Sequence, residues 1–400
     1  MKNFIDDLAI FGGPPLFNTI RPRAQLSAGP TSTFYKHAKQ IYTERRLTNF
    51  GPLVRALEQR LAEFHDVDYC ISYCNACVAL IALFALAKER TGKSNIIMPA
   101  FTYDGLPHLA QWAGLRPVFC DIDEKTHTLA PEAVSDAIDE SVAAIVGVHQ
   151  VNNTCHIKQL EQIAREADVP LFFDSVYGFN CMYEGRQTGR FGNAEAFSLH
   201  ATKLINGFEG GYITTNDPEL ATKLKKISTF GFSGKDRVVQ LGLNGKLNEI
   251  HAAMALASMD SMEETICANH QRYSWYRNYF QDIKGCEILP YEEGRSYNYC
   301  FVLLELCENW DLNRDQIVSI LKKEQAYAAP YYSPPLHRSE HMPKDQERPH
   351  LPVTDRVSQK FISMPVGEFV DRDTIERLAH LFGFISQNDG AILKRFTNEH

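Results

Sequence analysis

Leu53, Leu57, Leu61 and Phe64 fall on one face at helical spacing, and a similar pattern covers residues 35–45, so two amphipathic helices are predicted early in the chain. The pattern then alternates. Short apolar runs at residues 95–98, 116–120, 143–148 and 169–173 are separated by helix-like stretches at 104–113, 131–138 and 157–167. Uninterrupted apolar strands between helices predict a mostly parallel sheet covered on both faces. Over residues 194–215 the strands shorten and are broken by Gly207, Gly210 and Gly211. A helix at 218–228 and a long helical region at 247–280 follow. The remainder reads as a strand at 299–304, a helix at 314–323, a proline-rich loop at 330–335 and a last helix at 371–385. The expected organisation is an N-terminal arm (1–34), a large α/β domain (35–250), a bridging helix (251–284) and a small α+β domain (285–400).

Composition narrows the possible partners. With 400 residues, 44% hydrophobic and 22% charged, the chain is an ordinary globular one, and fibrous or disordered classes are excluded. A formal charge of -8 offers no basic field for a nucleic-acid backbone. No run approaches the roughly 20 apolar residues of a membrane helix. Lys2, Asp6 and Asp7 interrupt the start of the chain, which is unlike an export signal. The expected location is cytoplasmic, and the ten cysteines are expected to be thiols.

The chemistry concentrates in a few places. Asp174 closes an apolar strand, and Lys203 ends the segment Phe197-Ser198-Leu199-His200-Ala201-Thr202-Lys203, followed by Phe208-Glu209-Gly210-Gly211. A lysine among small and apolar residues can lose its proton and form a Schiff base with an aldehyde. An aspartate at the carboxyl edge of a parallel sheet can hold the proton on a pyridine nitrogen. Near Asn75, Ala76 and Cys77 a strand gives way to a helix whose first N–H groups and dipole suit a phosphate. Ser198 adds a hydroxyl. Each feature alone is more often an ion pair or a cap; together they imply pyridoxal phosphate and no metal.

These segments, with Leu47-Thr48-Asn49-Phe50-Gly51-Pro52, Pro99-Ala100-Phe101-Thr102-Tyr103, Arg116 to Asp123, Gly242-Leu243-Asn244-Gly245-Lys246 and Pro334-Pro335-Leu336-His337, resemble the DegT/DnrJ/StrS group. Those are nucleotide-sugar aminotransferases of the fold-type-I pyridoxal phosphate class, and the resemblance spans nearly the whole chain. It implies a seven-stranded, mostly parallel sheet and a homodimer with shared active sites. By the resemblance, Lys203 carries the cofactor and shuttles a proton, and Asp174 holds the pyridinium. Tyr103 stacks on the ring. Ser198 and the backbone of Ala76 and Cys77 hold the phosphate, and Asn244 reaches it from a second subunit. The cofactor would alternate between pyridoxal and pyridoxamine phosphate, taking nitrogen from L-glutamate. The motifs around Lys203 and Glu209 look like those of enzymes acting at C4 of dTDP-4-keto-6-deoxyhexoses; a C3-specific or non-nucleotide keto-sugar enzyme is the alternative. His337 is expected on a loop at the site mouth. Arg45, Arg46, Lys235 and Arg237 are candidates as surface or gate residues.

Three positions depart from the group's pattern. Cys77 replaces a threonine hydroxyl by a weaker thiol donor, Tyr177 replaces the Gln or His near the cofactor's 3-oxygen, and Asn152 replaces a glycine. Lys203 itself argues against the group's dehydratase branch, which has histidine there. Two rival readings are a cofactor-binding regulator without turnover and an iron-sulfur site at Cys70, Cys74 and Cys77, whose spacing is treated as coincidence.

Overall fold

The computed structural model describes residues 1–24, 27–234, 237–292, 297–307, 310–340 and 348–398. Among the described residues seven strands form the main sheet: β1 (Tyr69–Tyr73), β2 (Asn95–Pro99), β3 (Arg116–Cys120), β4 (Val142–Val148), β5 (Leu171–Asp174), β6 (Ala194–Ser198) and β7 (Gly211–Thr215). Their order is β1-β7-β6-β5-β4-β2-β3. The pairs from β3 through β6 are parallel, and β7 runs antiparallel to both β6 and β1. All seven residues of β4 are buried, as its unbroken apolar sequence requires of a strand covered on both faces.

Helices α1 (Thr31–Glu44) and α2 (Pro52–His65) precede the sheet. Helices α3 (Ala76–Thr91), α4 (Leu106–Trp112), α5 (Pro131–Ala137), α6 (Ile157–Glu166) and α7 (Pro218–Ile227) alternate with its strands. The start of α2 is held from a distance. Glu249, fully buried, accepts the N–H groups of Leu53 (2.8 Å) and Val54 (3.1 Å), satisfying donors that the first turn of a helix cannot satisfy itself.

The long region expected over 247–280 is two helices, α8 (Glu249–Asp260) and α9 (Met262–Phe280). Ser261 separates them with φ -110° and ψ 15°, and its hydroxyl donates back to the Ala257 carbonyl at 3.3 Å, a bond that competes with regular helix.

Beyond α9 come β8 (Cys286–Ile288), β9 (Leu303–Leu306), α10 (Arg314–Lys323), β10 (Ala329–Pro330), α11 (Pro352–Val357), β11 (Phe361–Ser363) and α12 (Arg372–Asn398). The four strands make an antiparallel sheet in the order β8-β9-β11-β10. The strand expected at 299–304 starts only at Leu303, because Tyr299 is left-handed, with φ 51°. The last helix continues past residue 385 because Ile392 extends its buried face.

Residues of the expected N-terminal arm join this second core. Leu8, Leu16 and Phe17 pack with Tyr276, Phe280 and Ile317. Glu324 fixes them by accepting the Ala9 and Leu16 N–H groups at 2.8 and 2.7 Å and pairing with Lys2 at 2.9 Å. Among the described residues no helix is long and apolar enough to cross a membrane.

Candidate active site

The carboxyl ends of β5 and β6, the start of β7 and the N-terminus of α3 meet at one edge of the main sheet. After β6 the chain turns tightly. Lys203 N–H donates to the His200 carbonyl (2.9 Å), Ala201 N–H to Phe208 (2.9 Å) and Gly207 N–H to Leu199 (2.8 Å). This loop carries the Lys203 amine to 3.9 Å above the centroid of the Tyr177 ring, with Phe301 at 5.7 Å. Phe301 meets the Tyr177 ring edge-on at 5.1 Å, and Asn298 Nδ2 donates to the Tyr177 carbonyl at 2.9 Å.

Asp174 ends β5 and is buried. Among the described residues its carboxylate accepts one hydrogen bond, from Val176 N–H to Oδ1 at 3.2 Å. Burial pushes the carboxyl up to about 6, against the pull of that bond and of Lys203 and His149. A buried carboxylate so short of donors suits a cationic N–H partner.

A second cradle lies at α3. Asn75 caps the helix through the Val78 N–H (2.9 Å). The N–H groups of Ala76 and Cys77 have no oxygen acceptor among the described residues, and the helix dipole favours an anion there. Gly211 pairs with Tyr73 on one side and Ser198 on the other. A Cβ at Gly211 would lie 2.4 Å from the Ala76 nitrogen, so its hydrogen lets β7 rest on the helix start and brings Ser198 beside it. The Ser198 hydroxyl oxygen accepts His200 N–H at 3.2 Å.

Burial raises the Cys77 thiol, and the charges of Asp174 and Glu209 raise it further, so it remains a protonated, weak donor. Tyr103, 56% exposed, has its ring against Gly105. Burial raises its phenol first, and Cys77, Asp104 and Tyr177 act on it as well. Cys77, Tyr103, Asp174, Tyr177 and Lys203 are thus brought within electrostatic reach of one another. An amine, a buried carboxylate, two tyrosines and two free N–H groups fit a flat, phosphate-bearing pyridinium.

Other expected residues lie elsewhere. His337, read as a loop residue at the site mouth, is buried in a short 3-10 helix, Leu336–Arg338. Leu336 N–H bonds the Ala100 carbonyl at 2.9 Å and draws it in. Its Nε2 is 3.0 Å from Asp355 Oδ1 without hydrogen-bond geometry, and burial lowers its basicity. Asn152 is not left-handed; its amide instead donates to the Pro290 carbonyl at 3.2 Å.

Asn244 is exposed, its oxygen accepting from Lys246 Nζ at 2.5 Å, while the neighbouring Gly245 carbonyl accepts Cys74 N–H at 2.7 Å. Arg45, Arg46 and Arg237 are exposed, and Lys235 lies outside the described residues. Cys70, Cys74 and Cys77 are spread over strand, turn and helix, and burial raises all three thiols. No group of three or more metal-ligating side chains occurs among the described residues.

Sequence reasoning missed Glu195, Ser175 and His149, which lie buried under this edge. Glu195 was the available signal, a carboxylate inside the apolar run Ala194-Glu195-Ala196-Phe197.

Residues 31–382 match the model of the DegT/DnrJ/EryC1/StrS aminotransferase family. The chain is similar to DesI, solved in the presence of its TDP-sugar product, with 32% identity, a TM-score of 0.92 and coverage of 98% of this chain and 100% of that one. It is 27% identical over 363 residues to dTDP-4-amino-4,6-dideoxy-D-glucose transaminase of Shigella dysenteriae, covering 90% and 96% of the two chains. It is 28% identical over 328 residues to UDP-2-acetamido-2-deoxy-3-oxo-D-glucuronate aminotransferase of Pseudomonas aeruginosa, covering 82% and 89%. The amine, carboxylate and anion cradle described above are thus set in the fold of a known enzyme group: the chain belongs to the DegT/DnrJ/EryC1/StrS aminotransferases, a pyridoxal-phosphate-dependent family.

Proposed function

We propose that this chain moves an amino group from L-glutamate to C4 of a dTDP-linked 4-keto-6-deoxyhexose. The observation that carries the reading is the full-length likeness to DesI, crystallised with a TDP-sugar product, joined to the Shigella transaminase of a 4-amino-4,6-dideoxyhexose. The motif His200-Ala201-Thr202-Lys203 with Phe208-Glu209-Gly210-Gly211 agrees with C4 action. The Pseudomonas relative, named for a 3-oxo sugar, keeps C3 amination as the second reading.

In this reading the cofactor supplies an electron sink that makes the donor's Cα–H acidic. Lys203 is both its anchor and, once its amine is released, the base that carries the proton from Cα. Asp174 would hold the pyridinium proton, the Val176 N–H being its single other donor among the described residues. Tyr103 would stack on the ring, and the Tyr177 phenol would stand near its 3-oxygen. Ala76, Cys77 and Ser198 receive the phosphate, with the helix dipole behind them. Asn244 adds a contact from a second subunit. Phe208 (45%), Phe230 (47%) and Leu241 (86%) are exposed apolar side chains that such a contact would cover.

The test incubates the protein with L-glutamate and a panel of 4-keto and 3-keto sugar nucleotides and free keto sugars, read by mass. Borohydride trapping and peptide mapping locate the cofactor. Label on Lys203 with amination of the 4-keto nucleotide is expected. Amination of a free keto sugar alone would reject the substrate class, and label on another residue would reject the site.

A further inference from the structure

Glu195 is fully buried on β6, in register with Phe173 of β5. Burial alone would raise its carboxyl; bonds from Ser175 and Phe191 and the nearby His149 outweigh that and hold it below the usual range. Oε1 accepts Gly189 N–H at 2.7 Å and Phe191 N–H at 2.9 Å, and Oε2 accepts the Ser175 hydroxyl at 2.5 Å. His149 Nε2 faces Oε2 at 3.6 Å.

Burial opposes charge on His149, against the pull of Cys155 and Glu195 toward the charged form. The geometry decides for the neutral ring, since Nδ1 accepts Cys155 N–H at 3.1 Å and so carries no proton. The ring proton is then on Nε2, turned toward Glu195.

The three hydrogen bonds have a common geometric meaning. Ser175 directly follows Asp174 and begins the loop that returns to the sheet at Gly189 to Phe191. That loop carries Tyr177, the ring beneath the Lys203 amine. Glu195 therefore ties both ends of one loop with a single carboxylate. On the other side His149 N–H donates to the Asp174 carbonyl at 3.1 Å, and Ser175 N–H to the Ala196 carbonyl at 2.8 Å. The peptide that joins Asp174 to Ser175 is thus held from the neighbouring segments on either flank.

We propose that Glu195 is a positioning residue of the amino-transfer site: it clamps the loop 175–191 so that the Tyr177 ring stays under Lys203 and the Asp174 carboxylate keeps its aim. This rests on the assignment of Lys203 and Asp174 to the cofactor. Glu195 touches none of the reacting atoms. Glutamine in its place keeps one acceptor oxygen for Gly189 and Phe191 and can meet the Ser175 hydroxyl only by donating an N–H to it, so a short bond to a charged acceptor becomes a weaker, reversed one and that end of the loop is loosened.

The experiment loads wild-type, Glu195→Gln and Ser175→Ala protein with pyridoxal phosphate. It follows the pH midpoint of the absorbance of the lysine-linked cofactor, with circular dichroism as a check on folding. Releasing the ring from the Lys203 cation is expected to move the midpoint down by about half a pH unit in Glu195→Gln, the size of one lost cation–π contact. A smaller shift of the same sign is expected in Ser175→Ala. A folded, loaded Glu195→Gln protein with an unchanged midpoint would overturn the clamp, even if it melts earlier. If Glu195→Gln does not fold, Ser175→Ala decides by the same criterion. Failure of wild-type protein to load the cofactor would instead remove the parent reading and the clamp with it.

Discussion

Replacing Asp174 by Asn should make the cofactor-free protein more stable at neutral pH while weakening its grip on the cofactor. The carboxyl is raised from 3.8 to about 6 by burial. That rise is net of the attraction to Lys203 and His149 and of the Val176 bond, so it measures what ionisation costs the folded state. At 1.36 kcal/mol per unit it corresponds to about 3 kcal/mol. The sign follows from proton binding. The folded state holds its proton more tightly than the unfolded chain, so ionisation destabilises it progressively from pH 3.8 upward, with the full effect reached above about 6. Asn removes the charge and can keep the Val176 N–H bond through its own oxygen. Equilibrium urea unfolding of apoprotein should therefore show Asp174→Asn more stable than wild type by up to about 3 kcal/mol at pH 8, the gap closing as pH falls from about 6 to below 4. Fluorescence titration should show weaker binding of pyridoxal phosphate. A variant that is no more stable than wild type at pH 8, or a gap that persists at acid pH, would refute the reasoning.

Two further outcomes test the frame around the site. Gly211→Ala places a Cβ 2.4 Å from the Ala76 backbone nitrogen, so the start of α3 must move and pyridoxal phosphate affinity should fall about tenfold or more; wild-type affinity in a titration would count against the cradle. Glu249→Ala leaves the buried Leu53 and Val54 N–H groups without acceptors and should cost about 3 kcal/mol in urea unfolding, whereas a loss under about 0.5 kcal/mol would mean water replaces the cap.

Elements whose neighbours are local in sequence are legible in the sequence itself. β3 spans the expected Arg116–Cys120, because the apolar run from Pro117 to Cys120 lies between two helices, with Arg116 exposed at its start. α10 spans the expected Arg314–Lys323, since Asn313 and Gln316 form a capping box at its start. What decides the remaining elements lies far away in the chain. Leu8, Leu16 and Phe17 show no helical or strand period, yet Glu324 holds their backbone from more than 300 residues on. Tyr299 reads as a strand residue and is turned left-handed where it packs against His270 and Tyr291. The site divides in the same way. Lys203, Asp174 and Ser198 sit at turns that their own segments specify, so sequence placed them together. His337 follows two prolines and reads as loop, but the bond from Leu336 to Ala100 pulls it inside. Glu195 stands out as a carboxylate in an apolar run, but the partners that satisfy it lie on a loop that closes over it.

Several groups short of partners gather at one edge of the sheet. Asp174 with a single bond, the Ala76 and Cys77 N–H groups and the Lys203 amine lie where β5, β6 and α3 meet. Ionised Asp174 weakens the empty protein, and each of these groups is complementary to a charge or an acceptor on the proposed ligand. A ligand that binds the folded state alone adds about 2.7 kcal/mol at a hundredfold excess over its dissociation constant. That is close to the roughly 3 kcal/mol that the ionised Asp174 costs. Under the proposed function, folding stability and cofactor binding are therefore one linked quantity. The carboxylate that makes the empty site unfavourable would then be the group that selects a cationic ring over any neutral molecule of similar shape.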